Sequence, residues 1–308
     1  MKIVISEFMD SAAVAQLQQH FEVVYDPGLV DQPDALRKAL AAADALIVRN
    51  RSRVDAALLA VAPVLKVVGR LGVGLDNIDV PACAERSIKV IPATGANSQA
   101  VAEYVVAVSM LLLRGGFMSS ADVASGKWPR AQLSEGRETA GKVLGLVGFG
   151  SIGQLTAQLA RGLGMAVIAY DPAVPDSAEI WSHTKVQPRS LDTLVADADV
   201  ISLHVPLLES TRHLFNAALI ARMKPGAMLV NTARGGIVDE SALAAALIDG
   251  RLGGAALDVF DVEPVPAVNP FAAVPNLILT PHIAGVTAES NVRVSRLIAD
   301  QVSACLLN

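Results

Sequence analysis

Short apolar runs alternate with longer stretches of helical periodicity along nearly the whole chain. In the first third these runs lie at residues 3–5, 21–25, 45–48, 66–68 and 89–91. Later runs lie at 143–147, 165–170, 200–203, 227–230, 254–257 and 277–279. Short, almost uninterrupted apolar runs are typical of parallel strands that helices cover on both faces. The alternation therefore predicts an α/β protein built from doubly wound parallel sheets.

The strand pattern pauses after residue 91 and restarts at residue 143, which predicts two sheets and hence two Rossmann-like domains with a cleft between them. A long helical pattern covers residues 98–115, and a last helix is predicted over 287–307. We expect that last helix to return to the first domain. The predicted domains are therefore a discontinuous one, 1–97 plus 283–308, and a continuous one, 98–282. A length of 308 residues suits two ordinary domains.

Composition narrows the class of protein. The chain is 52% hydrophobic and 18% charged, with a formal net charge of −5, which argues against a nucleic-acid partner. The apolar stretch 101–113 contains Glu103 and falls short of the ~20 residues that a membrane span needs. Cys83 and Cys305 form no disulfide framework, and the first strand leaves no room for a signal peptide. We expect a cytoplasmic protein without a membrane partner or a metal site.

One turn points to a dinucleotide. It reads Gly148-Phe149-Gly150-Ser151-Ile152-Gly153, between an apolar run and a helical repeat. Gly148 permits a tight turn, Gly150 allows close approach of a diphosphate, and Gly153 allows helix and strand to pack closely. The helix N-terminus then favours the negative charge. Asp171 ends the next strand, 171 − 148 = 23 residues on, and a carboxylate there favours NAD over NADP.

Together with that turn, four further stretches resemble the D-isomer-specific 2-hydroxyacid dehydrogenase family, and most of all its phosphoglycerate dehydrogenase branch. They are residues 68–79 (VGRLGVGLDNID), 231–240 (NTARGGIVDE), 256–264 (ALDVFDVEP) and 281–285 (PHIAG). The stretches run in the family's order and span most of the chain. The resemblance implies an NAD-dependent dehydrogenase whose domain 98–282 binds NAD and whose domain 1–97 plus 283–308 binds substrate.

Three residues in these stretches suit the chemistry. Oxidation of a 2-hydroxy acid needs a base for the hydroxyl proton, and an imidazole, with an ordinary pKa near 6.5, suits His282 to that task. Glu263 would bind the other ring nitrogen and stabilise the imidazolium. Arg234 offers a planar fork for a carboxylate or for charge on the C2 oxygen. The resemblance implies the same catalytic roles for Arg234, Glu263 and His282.

The resemblance also implies a set of NAD contacts. Besides the glycine-rich turn and Asp171, this set comprises Val205, Pro206, Thr232, Ala233, Arg234, Asp258, His282 and Gly285. His204, which precedes two of these residues, is expected to be structural.

Substrate anchoring is expected from the first domain. Gly72, Val73 and Gly74 would offer backbone N–H groups to the substrate carboxylate, beside Arg234 and His282. Arginines follow two neighbouring predicted strands, at Arg49, Arg51, Arg53 and Arg70. The resemblance implies that Arg49 binds a substrate phosphate and that Arg70 also matches an arginine. Arg51 departs from that branch, which usually has a small residue, so a different anion such as the sulfonate of 3-sulfolactate is a serious option.

Three functions stay open from sequence. We favour a dehydrogenase for a 2-hydroxy acid with an anion on C3, of the 3-phosphoglycerate or 3-sulfolactate type. The second is a glyoxylate or hydroxypyruvate reductase of broad specificity, and the third is a non-enzymatic NADH-sensing protein. The resemblance implies a homodimer in which the segment around Trp128 packs against the partner, with Arg130 near the partner's cleft.

Overall fold

The structure is a computed structural model that describes residues 1–307. The chain divides into two compact units, of which the first is Met1–Asn97 with the described chain from Val286 onward, and the second is Ser98–Gly285. The boundary thus follows Gly285, where the sequence predicted residue 282. That the first unit binds substrate and the second binds the dinucleotide stays a prediction.

Twelve strands and twelve α-helices form within residues 1–307. The strands are β1 Lys2–Ile5, β2 Glu22–Tyr25, β3 Ala45–Val48, β4 Val67–Arg70, β5 Lys89–Pro92, β6 Val143–Val147, β7 Ala166–Tyr170, β8 Gln187–Pro188, β9 Val200–Leu203, β10 Met228–Asn231, β11 Gly254–Leu257 and β12 Leu277–Leu279. The helices are α1 Ser11–Gln18, α2 Pro33–Leu40, α3 Ala56–Ala60, α4 Val80–Glu85, α5 Ser98–Arg114, α6 Ser120–Ala124, α7 Ser151–Gly162, α8 Glu179–Thr184, α9 Leu191–Asp197, α10 Ala217–Arg222, α11 Glu240–Ile248 and α12 Ala288–Leu307. Short 3₁₀ helices lie at Leu29–Asp31 and Gly116–Ser119.

The first unit is a five-stranded parallel sheet in the order β2-β1-β3-β4-β5. Helix α12 packs on β4 because Gly69 has no side chain. A Cβ there would lie 2.8 Å from the side chain of Ile298 and 2.9 Å from that of Val302. Asp55 and Asp79 begin two of the covering helices by accepting backbone N–H groups. The glycine therefore decides how closely the last helix covers the sheet.

The second unit is a seven-stranded parallel sheet in the order β12-β11-β10-β9-β6-β7-β8. The strand order reverses where β6 lies beside β9, which is the position where open α/β sheets bind ligands at their carboxyl edge. Phe149 and Trp181 stack with ring centroids 4.8 Å apart in the core on one face. A Cβ at Gly145 would lie 2.7 Å from Leu194, so α9 lies close on the opposite face.

These sheets confirm the predicted α/β class, and each predicted apolar run lies on a strand. The bounds of the strands differ from those of the predicted runs by at most two residues. For example, the run 66–68 corresponds to the strand Val67–Arg70. The strand that the pattern missed is β8, because Gln187–Pro188 at the sheet edge has no apolar run to reveal it.

Among residues 1–307, no single helix is both long and apolar enough to cross a membrane. By length and composition alone, one pair bent by 72° meets that criterion, Ser98–Arg114 with Gly116–Ala124. The first of these helices, α5, places residues such as Val105 and Leu112 in the core of the second unit.

Candidate active site

The predicted dinucleotide and catalytic residues of the second unit lie at one edge of its sheet. Each follows the carboxyl end of a strand, and these strands are neighbours in the order β12-β11-β10-β9-β6-β7. After β6 comes the glycine-rich turn, after β7 Asp171, after β9 Val205 and Pro206, after β10 Thr232, Ala233 and Arg234, after β11 Asp258 and Glu263, and after β12 His282 and Gly285. Parallel strands thus gather residues from six distant parts of the sequence.

Glu263 and His282 form a direct hydrogen bond. The Nδ1 atom of His282 lies 2.7 Å from Oε2 of Glu263, and the other carboxylate oxygen accepts the Phe260 N–H at 3.0 Å. Burial raises the pKa of Glu263, but the hydrogen bond and charge of His282 outweigh it, so the net pKa lies below its ordinary value. The carboxylate therefore holds Nδ1 as a donor, and Nε2 is the ring nitrogen that Glu263 does not contact.

The backbone at His282 is held in an unfavourable conformation. Its φ of 56° is left-handed, which a residue with a Cβ adopts rarely. The N–H groups of Ile283 and Ala284 both donate to Asp258, at 2.8 Å each, and Thr280 donates to it at 2.6 Å. Asp258 is only 1% exposed. This buried carboxylate anchors the peptide groups on one side of the imidazole.

Arg234 is placed by the loop that follows β10. The side chain of Asn231 accepts from the Ala233 N–H at 3.0 Å and donates to the Arg234 carbonyl at 2.9 Å. A Cβ at Gly235 would overlap the Phe260 backbone, so the glycine lets this loop contact the segment that carries Glu263. The Arg234 charge contributes to the lowered pKa of that glutamate. Glu263 thus interacts electrostatically with both of the other predicted catalytic residues, Arg234 and His282.

The glycine-rich turn has the geometry for a diphosphate. Gly148 has a φ of 98°, and a Cβ there would lie 2.7 Å from the carbonyl of His204. A Cβ at Gly153 would lie 2.5 Å from the Gly148 oxygen, whereas one at Gly150 would meet no atom within 4 Å. Helix α7 begins at Ser151 with no side-chain cap on its first turn. The open space at Gly150 and the uncapped helix N-terminus fit an anionic group.

Two buried polar atoms in the residues that follow β9 and β10 have no partner within residues 1–307. They are Nε2 of His204 and Oγ1 of Thr232. Burial lowers the pKa of His204 to about 4, so the ring is neutral near pH 7. Buried polar groups are nearly always satisfied in folded proteins, so these atoms also fit a site that takes a polar ligand.

Asp171 is oriented by the backbone. One carboxylate oxygen accepts the Phe149 N–H at 2.7 Å and the other accepts the Ala173 N–H at 2.9 Å. A carboxylate oxygen has lone pairs for more than one donor, so both oxygens retain capacity for ribose hydroxyls. The Pro206 carbonyl accepts from Thr211 at 2.6 Å, which shapes the stretch after β9.

In the first unit, a buried carboxylate organises the loop after β3. Glu7, 4% exposed, accepts the N–H groups of Arg49 at 2.8 Å, Arg51 at 3.1 Å and Ser52 at 3.0 Å. The Asn77 side chain donates to the Ser52 carbonyl at 2.7 Å. We call residues 49–52 the arginine loop. Its backbone is held at several points while its guanidinium groups extend from it.

The predicted arginines have different partners. Arg49 donates to the Asn291 side chain at 2.8 Å and lies over the Phe8 ring, and burial lowers its pKa while the Glu7 charge opposes that shift. Arg51 forms an exposed ion pair with Asp31.

The Gly72 amide has an acceptor within its own turn. Its N–H donates to the Arg70 carbonyl at 2.7 Å, and the Arg70 guanidinium occupies the place where a Gly72 side chain would be. That Gly72, Val73 and Gly74 bind the substrate carboxylate stays a prediction.

Sequence reasoning missed Glu7, Asn231, Tyr104 and Thr280 as members of these hydrogen-bond networks. Glu7 follows the carboxyl end of β1 beside β3, so the same strand-end argument that selected the arginines was available for it. Tyr104 lies in α5 and carried no such signal. Among residues 1–307, no group of three or more His, Cys, Asp or Glu side chains could hold a metal ion.

Comparison with known proteins finds a dehydrogenase family model and similar dehydrogenases and reductases. Residues 106–284 match the model of the D-isomer specific 2-hydroxyacid dehydrogenase NAD-binding domain. The chain is 54% identical to (S)-sulfolactate dehydrogenase of Chromohalobacter salexigens, over 99% of this chain and 98% of that protein. It is 41% identical to hydroxypyruvate reductase of Thermotoga maritima, over 88% and 87% of the two chains.

Proteins with lower sequence identity to this chain are also dehydrogenases. Identity to D-3-phosphoglycerate dehydrogenase of Mycobacterium tuberculosis is 39%, over 99% of this chain and 56% of that protein. The crystal structure of an NAD-dependent formate dehydrogenase from Staphylococcus aureus in complex with NAD superposes with a TM-score of 0.83. The identity there is 30%, over 100% of this chain and 96% of that chain.

Proposed function

This chain belongs to the D-isomer specific 2-hydroxyacid dehydrogenase family and is an NAD-dependent oxidoreductase of 2-hydroxy acids. From that premise we propose that its substrate carries a second anion on C3, of the 3-sulfolactate type. The observation that carries the proposed chemistry is the 2.7 Å hydrogen bond between Glu263 and His282. The choice of anion is supported by the arginine loop and by the 54% identical sulfolactate dehydrogenase.

His282 is the proposed acid and base. In oxidation its Nε2 takes the C2 hydroxyl proton, and in reduction the imidazolium returns a proton to the oxygen that forms at C2. Glu263 keeps the other ring nitrogen protonated and offsets the positive charge of the imidazolium. Because Glu263 is itself fixed by the Phe260 N–H, the imidazole has one preferred orientation.

Arg234 is proposed to bind the substrate carboxylate or the C2 oxygen. A guanidinium presents planar, permanently charged donors, and charge-assisted hydrogen bonds are stronger than neutral ones. Stabilising negative charge on the C2 oxygen lowers the barrier for removing the hydroxyl proton.

NAD, when bound, accepts or donates the hydride at its nicotinamide ring. We propose that Gly148, Gly150 and Gly153 and the N-terminus of α7 hold the diphosphate, and that Asp171 binds ribose hydroxyls. The remaining contacts proposed from the resemblance are Ser151, Ile152, Val205, Pro206, Thr232, Ala233, Asp258 and Gly285. The unpartnered Thr232 hydroxyl supports a polar group of the cofactor at that position.

The arginine loop is proposed to receive the C3 anion, with Arg70 as a further cation and with Gly72, Val73 and Gly74 as carboxylate donors. Arg49 is a partly desolvated cation, so pairing with an anion restores interactions that burial removes. Arg51 would exchange its exposed partner Asp31 for substrate. Such exposed pairs contribute at most about 1 kcal/mol, so the exchange costs little.

The test is a steady-state assay of NADH oxidation with glyoxylate, hydroxypyruvate, phosphohydroxypyruvate and sulfopyruvate. We expect kcat/KM for sulfopyruvate to exceed that for glyoxylate about a hundredfold or more, which corresponds to about 2.7 kcal/mol of transition-state binding. Comparable rates with all four acids would refute a C3-anion specificity. Preference for phosphohydroxypyruvate would keep the anion site and correct its ligand.

The arginine loop has its own test. Arg51→Ala should lower kcat/KM for the dianionic acid and leave that for glyoxylate unchanged. The matched control is Arg37→Ala, which removes another exposed, ion-paired arginine from the same unit. An Arg51→Ala enzyme with unchanged discrimination would remove that residue from the proposed site.

A second candidate is reduction of hydroxypyruvate with broad specificity. The 41% identical reductase of Thermotoga maritima favours it. It predicts similar kcat/KM for hydroxypyruvate and sulfopyruvate in the same assay. Absence of turnover with every acid would instead favour an NADH sensor.

We also propose a cytoplasmic homodimer with neither a nucleic-acid nor a membrane partner. Trp128 is 77% exposed, and Phe117 and Met118 are exposed nearby in the sequence, which suits an apolar surface covered by a second copy. Cys83 and Cys305 are free thiols, in keeping with a reducing compartment. Light scattering at micromolar concentration should give twice the chain mass, and Trp128→Ser should weaken that association. A monomeric wild-type protein would refute the dimer.

A further inference from the structure

A chain of hydrogen bonds runs from helix α5 to the backbone beside His282. The Tyr104 hydroxyl lies 2.5 Å from Oγ1 of Thr280, and that hydroxyl donates to Asp258 at 2.6 Å. The N–H groups of the two residues after His282 donate to the same carboxylate at 2.8 Å each. The chain therefore links a residue outside the strand-end loops to the proposed catalytic histidine.

The direction of each hydrogen bond follows from proton counting. A threonine hydroxyl has one hydrogen, and Thr280 gives it to Asp258. Tyr104 must therefore donate to Thr280. Burial and the Asp258 charge raise the pKa of Tyr104, although its hydrogen bond to Thr280 opposes that shift, so the tyrosine remains a protonated donor. Hydrogen bonds that follow one another in a chain, here from Tyr104 to Thr280 and from Thr280 to Asp258, polarise and strengthen one another.

The carboxylate at the end of this chain has a specific task. Asp258 is almost fully buried, so each donor that it keeps offsets part of the cost of burying a polar group. Its two backbone donors follow His282, whose φ of 56° would relax without restraint. A looser carboxylate would let this backbone move and turn the imidazole away from Glu263.

We propose that Tyr104 is a positioning residue for hydride transfer. Acting through Thr280 and Asp258, it keeps the His282 imidazole on the Glu263 carboxylate with Nε2 toward the substrate. This inference rests on the acid and base role proposed above for His282.

The experiment compares wild type with Tyr104→Phe in single turnovers. Stopped-flow absorbance follows NADH oxidation at saturating sulfopyruvate, or at the acid of the panel that the wild type reduces fastest. Loss of one hydrogen bond should slow the single-turnover rate about threefold to tenfold. The Kd of NADH, measured by fluorescence, should change less than the rate, because Tyr104 reaches the proposed cofactor contact Asp258 only through Thr280. A purely structural tyrosine would lower the melting temperature and leave the rate of folded enzyme unchanged.

A double-mutant cycle tests the route. Thr280→Val should cause a loss similar to that of Tyr104→Phe, and the double variant should lose little more, because both substitutions break one chain. Thr280→Ser, which keeps the hydroxyl, should restore most of the rate. Tyr25→Phe is the matched control, since its hydroxyl bonds to the Met9 carbonyl at 3.1 Å in the other unit, and it should retain the wild-type rate.

Two results would overturn the inference: a wild-type single-turnover rate in Tyr104→Phe, or losses from Tyr104 and Thr280 that multiply independently. His282→Ala separates this failure from failure of the proposed chemistry. Removing a general acid should cost about a hundredfold or more. If His282→Ala retains its rate, the proposed role of the histidine is wrong. If it loses activity while Tyr104→Phe does not, only the positioning inference is wrong.

Discussion

Replacing Glu263 with glutamine removes the charge that holds the imidazole. The amide oxygen can still accept the Phe260 N–H, so the loop keeps its anchor, but the amide NH2 then faces Nδ1 of His282 across the 2.7 Å contact. Because an NH2 group only donates, this contact requires the other tautomer, with Nδ1 as acceptor. A hydrogen bond to a charged group contributes about 1.5–3 kcal/mol. The side chains of His282 and Glu263 are 42% and 34% exposed, so solvent screening favours the lower part of that range, about 1.5–2 kcal/mol. At 1.36 kcal/mol per decade, loss of this interaction alone should lower kcat/KM about tenfold to thirtyfold, and the changed tautomer should add to that loss.

The assay is kcat/KM for reduction of the preferred 2-oxo acid by NADH, with the melting temperature of each variant. The matched control is Glu22→Gln, which neutralises an exposed surface carboxylate in the other unit and should leave kcat/KM unchanged. An unchanged kcat/KM in Glu263→Gln would refute this role of the carboxylate.

Three further predictions concern the second unit. Asp199→Asn should lower the free energy of unfolding by about 1–3 kcal/mol at pH 7, since this carboxylate binds Lys224 at 2.7 Å. Burial raises the pKa of Asp199, but Lys224 and a backbone donor lower it by more, so the net pKa is below 3.8. In urea unfolding, the stability difference between variant and wild type should therefore shrink as pH falls below about 4. Burial lowers the pKa of His204 to about 4, whereas a histidine in the unfolded chain gains a proton near pH 6.5. Wild-type stability should therefore fall by up to about 3 kcal/mol as pH is lowered from 6.5 to 4. In thermal melts, His204→Gln should make stability less dependent on pH over that range. In Gly153→Ala the added Cβ would lie 2.5 Å from the Gly148 oxygen, so calorimetry should find NADH affinity reduced about tenfold or more, and unchanged affinity would refute the close packing of the turn.

The strands and their carboxyl ends could be predicted from the sequence because buried parallel strands consist of uninterrupted apolar runs. The glycine-rich turn was accessible because each glycine answers a local steric demand, as at Gly148 with its φ of 98°. The pairing of Glu263 with His282 was also expected, from chemistry and family resemblance. These features depend on residue type and short spacing, which sequence records directly.

The partners of individual side chains depended on tertiary structure. Arg51 was expected at an anion site, yet its partner here is Asp31, because the chain brings two separate loops together at the protein surface. The Gly72 N–H is proposed to bind substrate, and the structure shows that it also has an acceptor in its own turn, the Arg70 carbonyl. Neither outcome follows from residue type alone.

The sequence by itself determined the α/β class, the sheet edge at which the chemistry is proposed to occur and the residue types proposed to perform it. Periodicity and strand-end positions encode these features locally. Only the tertiary structure decided that Asp258 holds the backbone beside His282 and that Tyr104 completes its donor chain. Those hydrogen bonds join residues separated by 22 to 176 positions, and their geometry exists only once the strands and α5 have packed.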